Sequence, residues 1–355
     1  MNISLIYSAV RRKSSILCIL CLLLLGCAGA AFPHPMPTPI AGSSVMRDGY
    51  TVEIVQVPVS HGDTASAYLL VPPLPAPHPA ILVLHDHGAH FSIGKEKVVN
   101  PVWRSEQDSA TNAFVQEDAR LWTSKYYDGM FVGDSLAKAG YVVLAIDALY
   151  WGERRAWADS LPLSDNRSRK SLQPTYYARH LARYGEAWFE TILADDCRSV
   201  DYLYSLPCVD TTHIAVFGFS MGAYRAWQLA AADPRIHACI ASNWMTTKAD
   251  HWDNSERPTP ADPSAFSMYY PAQSADYPLV ASRIAPRPFL LLYGDRDPLF
   301  TPDSVQNAIR TIQDSYRHAD ADSSFIPQPM PYPHFFSRDH LQCVLRFLGS
   351  LVTKP

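Results

Sequence analysis

From residue 50 onward, two kinds of apolar pattern alternate along the chain. Thr51–Val59, largely alternating between polar and apolar residues, and Thr64–Val71, rich in apolar residues, read as an opening pair of antiparallel strands. Beyond the proline-rich stretch Pro72–Pro79 the strand signal becomes short continuous runs: Ile81–Leu84, Tyr141–Ala145, His213–Phe219, Ile236–Ala241 and Arg287–Tyr293. Runs of this kind suit strands buried on both faces of a parallel sheet. Between them lie segments with helical character, Gly133–Ala139, Glu186–Leu206, Ala223–Ala232 and Asp339–Leu351, and Phe325–Met330 reads as one more strand. Strands that alternate with helices imply an α/β domain, with a mostly parallel central sheet, helices on both faces and right-handed crossovers. The pattern places this domain at 46–353. Two stretches do not belong to a minimal sheet, 91–130 and 245–280; both are rich in aromatic residues and read as rim insertions able to build a substrate cleft.

The run His213–Phe219 ends in Gly218-Phe219-Ser220-Met221-Gly222, and a good helix follows. Strand, sharp turn and helix with a serine at the apex is the context of a nucleophile elbow. Such a turn admits only small residues beside the serine, and Gly218 and Gly222 occupy those places. Ser220 is the predicted nucleophile, and the backbone N–H of Met221 is a predicted oxyanion donor. An elbow requires an acid and then a histidine, in that order. The acid should follow the strand Arg287–Tyr293, where Asp295 and Asp297 compete. Asp297 is preferred, because Asp295 directly follows Gly294 and can serve the turn itself. The histidine should be His334, in the proline-braced loop Pro331–Phe336, rather than His340 inside the final helix. Trp151, Arg225 and Trp244 are candidate substrate contacts; for Arg225 and for Glu153-Arg154, structural salt bridging is the preferred role.

A rival motif precedes the elbow. His85-Asp86-His87-Gly88-Ala89-His90 follows a strand and resembles the metal loop of the metallo-β-lactamase superfamily, so His85, His87 and His90 could hold zinc. Ala89 stands where that motif has an acid, and no second ligand cluster follows. The preferred reading is a loop whose backbone, at about His87, supplies the second oxyanion N–H. A serine mechanism of this kind needs neither metal nor organic cofactor.

Charge and cysteine content bear on location. Arg11-Arg12-Lys13, the apolar Ser14–Leu25 and Leu24-Leu25-Gly26-Cys27 form an export signal over 1–27, with Cys27 as a lipobox cysteine and Ala28-Gly29-Ala30 as the competing cleavage site. A stiff proline-rich linker, 28–45, follows. Removing residues 1–26 takes away three positive charges and no acids, so the net charge goes from −4 to −7. No basic run remains, which speaks against nucleic acid as a partner. The expected partners are an ester substrate, small or polysaccharide, and a membrane reached through a lipid on Cys27. The expected place is the periplasm or a membrane surface, or the medium if the chain is released. Cys197, Cys208, Cys239 and Cys343 remain after processing; their pairing and the oligomeric state cannot be read from the sequence.

Leu84–Lys97 (LHDHGAHFSIGKEK), Tyr141–Arg154 (YVVLAIDALYWGER), Val216–Ala226 (VFGFSMGAYRA) and Leu291–Phe300 (LLLYGDRDPLF) together resemble the α/β-hydrolase superfamily. Within it they are similar to the dienelactone-hydrolase-like and acetylxylan-esterase-like branch of bacterial proteins, over roughly residues 50–350. The resemblance implies a triad of Ser220, Asp297 and His334 and an exported esterase acting on carbohydrate esters, acetyl or methyl. Dienelactone hydrolases proper use a cysteine nucleophile, and Ser220 in its place points to ordinary carboxylic esters. A serine peptidase of the same fold and the zinc hydrolase are the alternatives.

Overall fold

The computed structural model describes residues 44–73, 75–155, 161–253 and 275–352. The expected export signal, nearly all of the linker and most of the second insertion lie outside the described residues. Nine strands form one sheet: β1 (Ser44–Arg47), β2 (Tyr50–Pro58), β3 (Thr64–Val71), β4 (His78–Leu84), β5 (Val142–Ile146), β6 (Val209–Phe219), β7 (Ala238–Ser242), β8 (Phe289–Gly294) and β9 (Phe325–Met330). Their order is β1-β2-β3-β5-β4-β6-β7-β8-β9. The first three strands pair antiparallel, β3 pairs antiparallel with β5, and the rest of the sheet is parallel. Because β4 lies between β5 and β6, the strand order reverses there, and such a switch point opens a crevice at the carboxyl edge of a sheet.

The described helices are α1 (Ser109–Tyr126), α2 (Val132–Lys138), α3 (Asn166–Tyr184), α4 (Trp188–Ser205), α5 (Met221–Ala232), α6 (Lys248–Asp253), α7 (Tyr277–Ala281), α8 (Pro302–His318) and α9 (Arg338–Val352). Alternate side chains of each central strand feed two cores. Leu82 and Leu84 of β4 face a layer containing Trp188 and Ile192 of α4, Trp227 of α5 and Val305 of α8. Ile81 and Val83 face Trp122 of α1, Leu136 of α2 and Val344 of α9. This is the α/β-hydrolase arrangement expected from the pattern, with helices on both faces.

Two features exceed the expectation. The insertion at 91–130 contains helix α1, capped by Asp108, whose carboxylate accepts the Thr111 N–H at 2.8 Å. Helix α3 had no counterpart in the periodicity, because its sequence is strongly polar with few apolar positions. The prolines of β9, Pro327 and Pro329, are tolerated because that strand closes the sheet edge and pairs only with β8.

Candidate active site

The turn from β6 into α5 is tight enough to exclude any side chain at its glycines. A Cβ on Gly218 would lie 2.0 Å from the Gly222 carbonyl, and one on Gly222 would lie 1.9 Å from the carbonyl oxygen of Leu84 in β4. Between them Ser220 adopts φ 55° and ψ −122°, a conformation costly for a residue with a Cβ. The neighbouring strand holds it there, since the Ser220 N–H donates to the Ser242 carbonyl at 2.9 Å. Met221 is the first residue of α5, so its N–H is one of those a helix leaves without an intrahelical partner. The positive end of the helix dipole points the same way.

The structure brings together the three residues expected from chain order. Ser220 Oγ lies 2.9 Å from Nε2 of His334, and Nδ1 of His334 lies 2.7 Å from Oδ2 of Asp297. A carboxylate can only accept, so Nδ1 carries the proton and Nε2 is left to receive the serine proton. Asp297 is buried and further anchored: Oδ1 accepts the N–H of Leu299 at 2.8 Å and that of Phe300 at 3.4 Å, and Oδ2 accepts the Asn243 side-chain amide at 3.1 Å. The competitors lie elsewhere. Asp295 is exposed and pairs with Arg296 at 3.4 Å. His340 is buried against Ser337, whose hydroxyl is 2.8 Å from Nδ1, and burial pulls its pKa down to about 4. Phe219 and Phe300 flank the His334 ring, with centroids 5.0 and 6.1 Å away.

Asn243 was not legible in the sequence. It follows β7 at φ 58°, a left-handed position that asparagine tolerates well, and its Oδ1 accepts the Ser242 hydroxyl at 2.8 Å. That bond orients the amide so that its NH₂ faces Asp297. An asparagine after a strand is too common for its spacing to have shown this.

The loop after β4 overturns the zinc alternative. His85 is fully buried: Nδ1 lies 2.9 Å from the Asp86 carbonyl, and Nε2 accepts the Ala148 N–H at 3.0 Å. Burial, then Lys97 and Arg225, hold its pKa well below the usual histidine value, consistent with a neutral ring. Nδ1 of His87 accepts the Ala89 N–H at 2.8 Å, while His90 stacks on Trp122 and lies 2.8 Å from Asp118. The three rings therefore serve three separate sets of partners and do not converge on one ion. The loop is instead clamped from below. Lys97, fully buried, donates to the carbonyls of Asp86 at 3.0 Å and His87 at 2.9 Å, and Trp151 donates its indole N–H to the same His87 oxygen at 3.2 Å. The Asp86 carboxylate accepts from Trp122 at 3.1 Å and Tyr127 at 2.6 Å. The peptide following His87 is thus fixed at the switch point.

Trp151, Arg225 and Trp244 correct the expectation of substrate contact, because all three are buried. Trp151 braces the His87 carbonyl. Arg225 makes a two-pronged ion pair with Asp196, at 2.6 and 3.0 Å. Trp244 packs among Tyr224, Trp227, Tyr277 and Phe300. Glu153 and Arg154 are ion-paired, Glu153 to Lys95 at 2.7 Å and Arg154 to Asp195 at 2.7 Å. The four domain cysteines stand as thiols, Cys197 and Cys239 buried.

Comparison with known proteins bears on the fold and the family. The sequence profile of the dienelactone hydrolase family matches residues 125–326. The protein YtaP of Bacillus subtilis (strain 168), named as a hydrolase, is 25% identical over 273 residues, 76% of this chain and 78% of its own length. A protein from Bacteroides fragilis NCTC 9343, described as an acetyl xylan esterase, has a TM-score of 0.60 at 18% identity, covering 84% of this chain and 71% of that one. A glucuronoyl esterase from Solibacter usitatus has a TM-score of 0.58 at 12% identity, covering 91% and 88%. At such identities the likeness to solved structures is one of fold. The family match covers more than half of the chain, which belongs to the dienelactone hydrolase family of α/β-hydrolases.

Proposed function

We propose that this hydrolase of the dienelactone hydrolase family is a serine carboxylic-ester hydrolase, exported from the cell and acting on carbohydrate esters. The observation that carries the reading is the unbroken line from Ser220 Oγ through His334 to Asp297, at 2.9 and 2.7 Å. In this reaction Nε2 of His334 takes the hydroxyl proton as Ser220 Oγ attacks the ester carbonyl. Asp297 keeps the ring in the tautomer that can accept and stabilises the imidazolium. The negative charge of the tetrahedral intermediate falls toward the Met221 N–H at the start of α5, and toward an N–H of the clamped loop near His87. His334 then returns its proton to the leaving alcohol. In the second half, it activates the water that frees the acid and restores Ser220.

Carbohydrate esters as substrates are supported by the acetyl xylan and glucuronoyl esterases that share the fold. Export is supported by the basic, apolar and Leu-x-Gly-Cys sequence before residue 28, with Cys27 as the lipid-bearing residue. Acetate and methanol release from acetylated xylan and methyl-esterified pectin, by wild type and Ser220→Ala, tests the substrate class. Serine-dependent release of one product is expected. Cleavage of p-nitrophenyl acetate with neither polymer touched would remove the polysaccharide assignment and leave the mechanism standing. Mass spectrometry of the mature N-terminus tests export: a lipid-modified Cys27 is expected, and an unprocessed Met1 would refute it.

A further inference from the structure

Among the described residues, two groups of metal-ligating side chains lie outside the triad, and they differ in one decisive respect. The first is Glu96, Asp147 and Glu153. Its centre already holds a cation, because the ammonium of Lys95 contacts the three carboxylates at 2.9, 2.9 and 2.7 Å. The second is His61, His180 and Glu186, whose ligand atoms all lie within 4.8 Å of one another. We propose that His61, His180 and Glu186 form a binding site for a divalent transition-metal ion, zinc foremost, that staples helix α3 to the turn between β2 and β3.

The donor set suits that ion. Two imidazoles and one carboxylate are nitrogen and oxygen ligands of the kind zinc takes, with room for water in a fourth position. The one carboxylate among the three ligands suits a divalent cation. His61 Nε2 is 2.8 Å from Glu186 Oε1, and the His61 ring stacks on Tyr184 with centroids 3.8 Å apart, which fixes its plane. Thr191 forms an outer support: its hydroxyl lies 2.6 Å from Glu186 Oε1 and 2.7 Å from His180 Nε2. Metal–nitrogen bonds of about 2.0–2.1 Å need ligand atoms roughly 3.4 Å apart, so the His61–Glu186 pair, at 2.8 Å, must open slightly, and the remaining separations, within 4.8 Å, must close by up to about 1.4 Å. His61 and Glu186 have side chains 32% and 36% exposed and can make that movement, while His180 is buried and stays. On binding, His61 moves its proton from Nε2 to Nδ1.

The turn carrying His61 lies on the same edge of the sheet as Ser220. β3 runs antiparallel to β5 with Ala67 opposite Ile146, so its start adjoins the carboxyl end of β5. The Ser60 N–H donates to Asp195 at 2.8 Å, which anchors the turn to α4. At its other end α3 holds the loop after β4, where Asn166 bonds the ring of His90 and accepts the Phe91 N–H at 3.0 Å. An ion at His180 would therefore tie down the second end of α3, so that both ends are held along the rim of the crevice.

The test is zinc titration by calorimetry on the full metal-stripped chain, with thermal unfolding alongside, for wild type, His61→Ala and Glu186→Gln. One zinc per chain is expected, with an unfolding midpoint about 5 °C higher at a hundredfold excess over Kd. Each variant should weaken binding at least tenfold and leave the metal-free midpoint nearly unchanged, since both side chains are partly exposed. Cobalt(II) should give a spectrum of nitrogen and oxygen ligands. Absence of saturable binding, unchanged affinity in both variants, or a thiolate charge-transfer band that places the ion on cysteine would each overturn the proposal.

Discussion

Replacing Asp297 by asparagine separates an acid that sets the tautomer of His334 from one that merely touches it. The asparagine oxygen would stay with the N–H groups of Leu299 and Phe300, now 2.8 and 3.4 Å from Oδ1. Its NH₂ would then face both the Asn243 amide, now 3.1 Å from Oδ2, and Nδ1 of His334 at 2.7 Å. Donor would meet donor on two sides. The imidazole relieves this by moving its proton to Nε2, and that nitrogen can no longer accept from Ser220. Loss of one hydrogen bond to a charged group costs about 1.5–3 kcal/mol, roughly ten- to 150-fold in rate. Loss of the working tautomer costs about 10⁴-fold, near 5.5 kcal/mol. The assay is kcat on p-nitrophenyl acetate, with circular dichroism to establish that the variant folds. Asp295→Asn is the control: its side chain is exposed, and kcat should stay within about twofold. An Asp297→Asn enzyme within tenfold of wild type, or an equal loss at Asp295, would refute the reasoning.

Asn243→Gly keeps the left-handed backbone and removes the amide that orients Asp297; kcat should fall about ten- to 100-fold with KM little changed, measured on the same ester. Lys95→Met leaves three carboxylates around an apolar group, two of them buried, and should cost about 3–5 kcal/mol in urea unfolding. The same cluster sets a pH dependence. Burial raises the Glu153 pKa, but Lys95 and Arg104 override it and bring the group to about 2. A depressed carboxyl stabilises the fold above its unfolded pKa, ordinarily near 4.5, and that stabilisation fades as pH falls from there toward 2. Wild type should lose stability across this window, and Lys95→Met should lose less, as followed by unfolding midpoints between pH 5 and 2. Gly222→Ala would place a Cβ 1.9 Å from the Leu84 carbonyl and should destabilise by about 3 kcal/mol or more, whereas Gly349→Ala, with nothing within 4 Å in α9, should be neutral or stabilising. Both are read from urea midpoints.

The parts of this molecule that were legible in the sequence are those written in local pattern. Apolar runs placed the central strands, and Gly218-Phe219-Ser220-Met221-Gly222 placed the elbow because its steric demands are met by adjacent residues. Chain order then reached Asp297 and His334, since each follows a strand of the parallel sheet. What was not legible depends on contacts between distant segments. Asn243 lies 54 positions from Asp297, and Lys97, Trp122, Tyr127 and Trp151 meet the loop after β4 only once α1 and the loop after β5 fold onto it. The same effect explains the corrected residues. Trp151 and Trp244 look like rim aromatics in sequence, but the layers on the β4 and β6 strands cover them, and Arg225 makes the salt bridge its sequence position suggested, with Asp196. His85, His87 and His90 share a metal-like spacing, yet the turn at Gly88 and Ala89, both with positive φ, sends their rings to different partners.

The most direct test of the central claim is covalent labelling of Ser220. A fluorophosphonate, which reacts with activated serines, should add one group per chain, found by peptide mass spectrometry on Ser220, and ester turnover should fall in proportion. Ser220→Ala should take no label and lose turnover by several orders of magnitude. Turnover that survives full labelling, or that persists in Ser220→Ala, would contradict the serine mechanism.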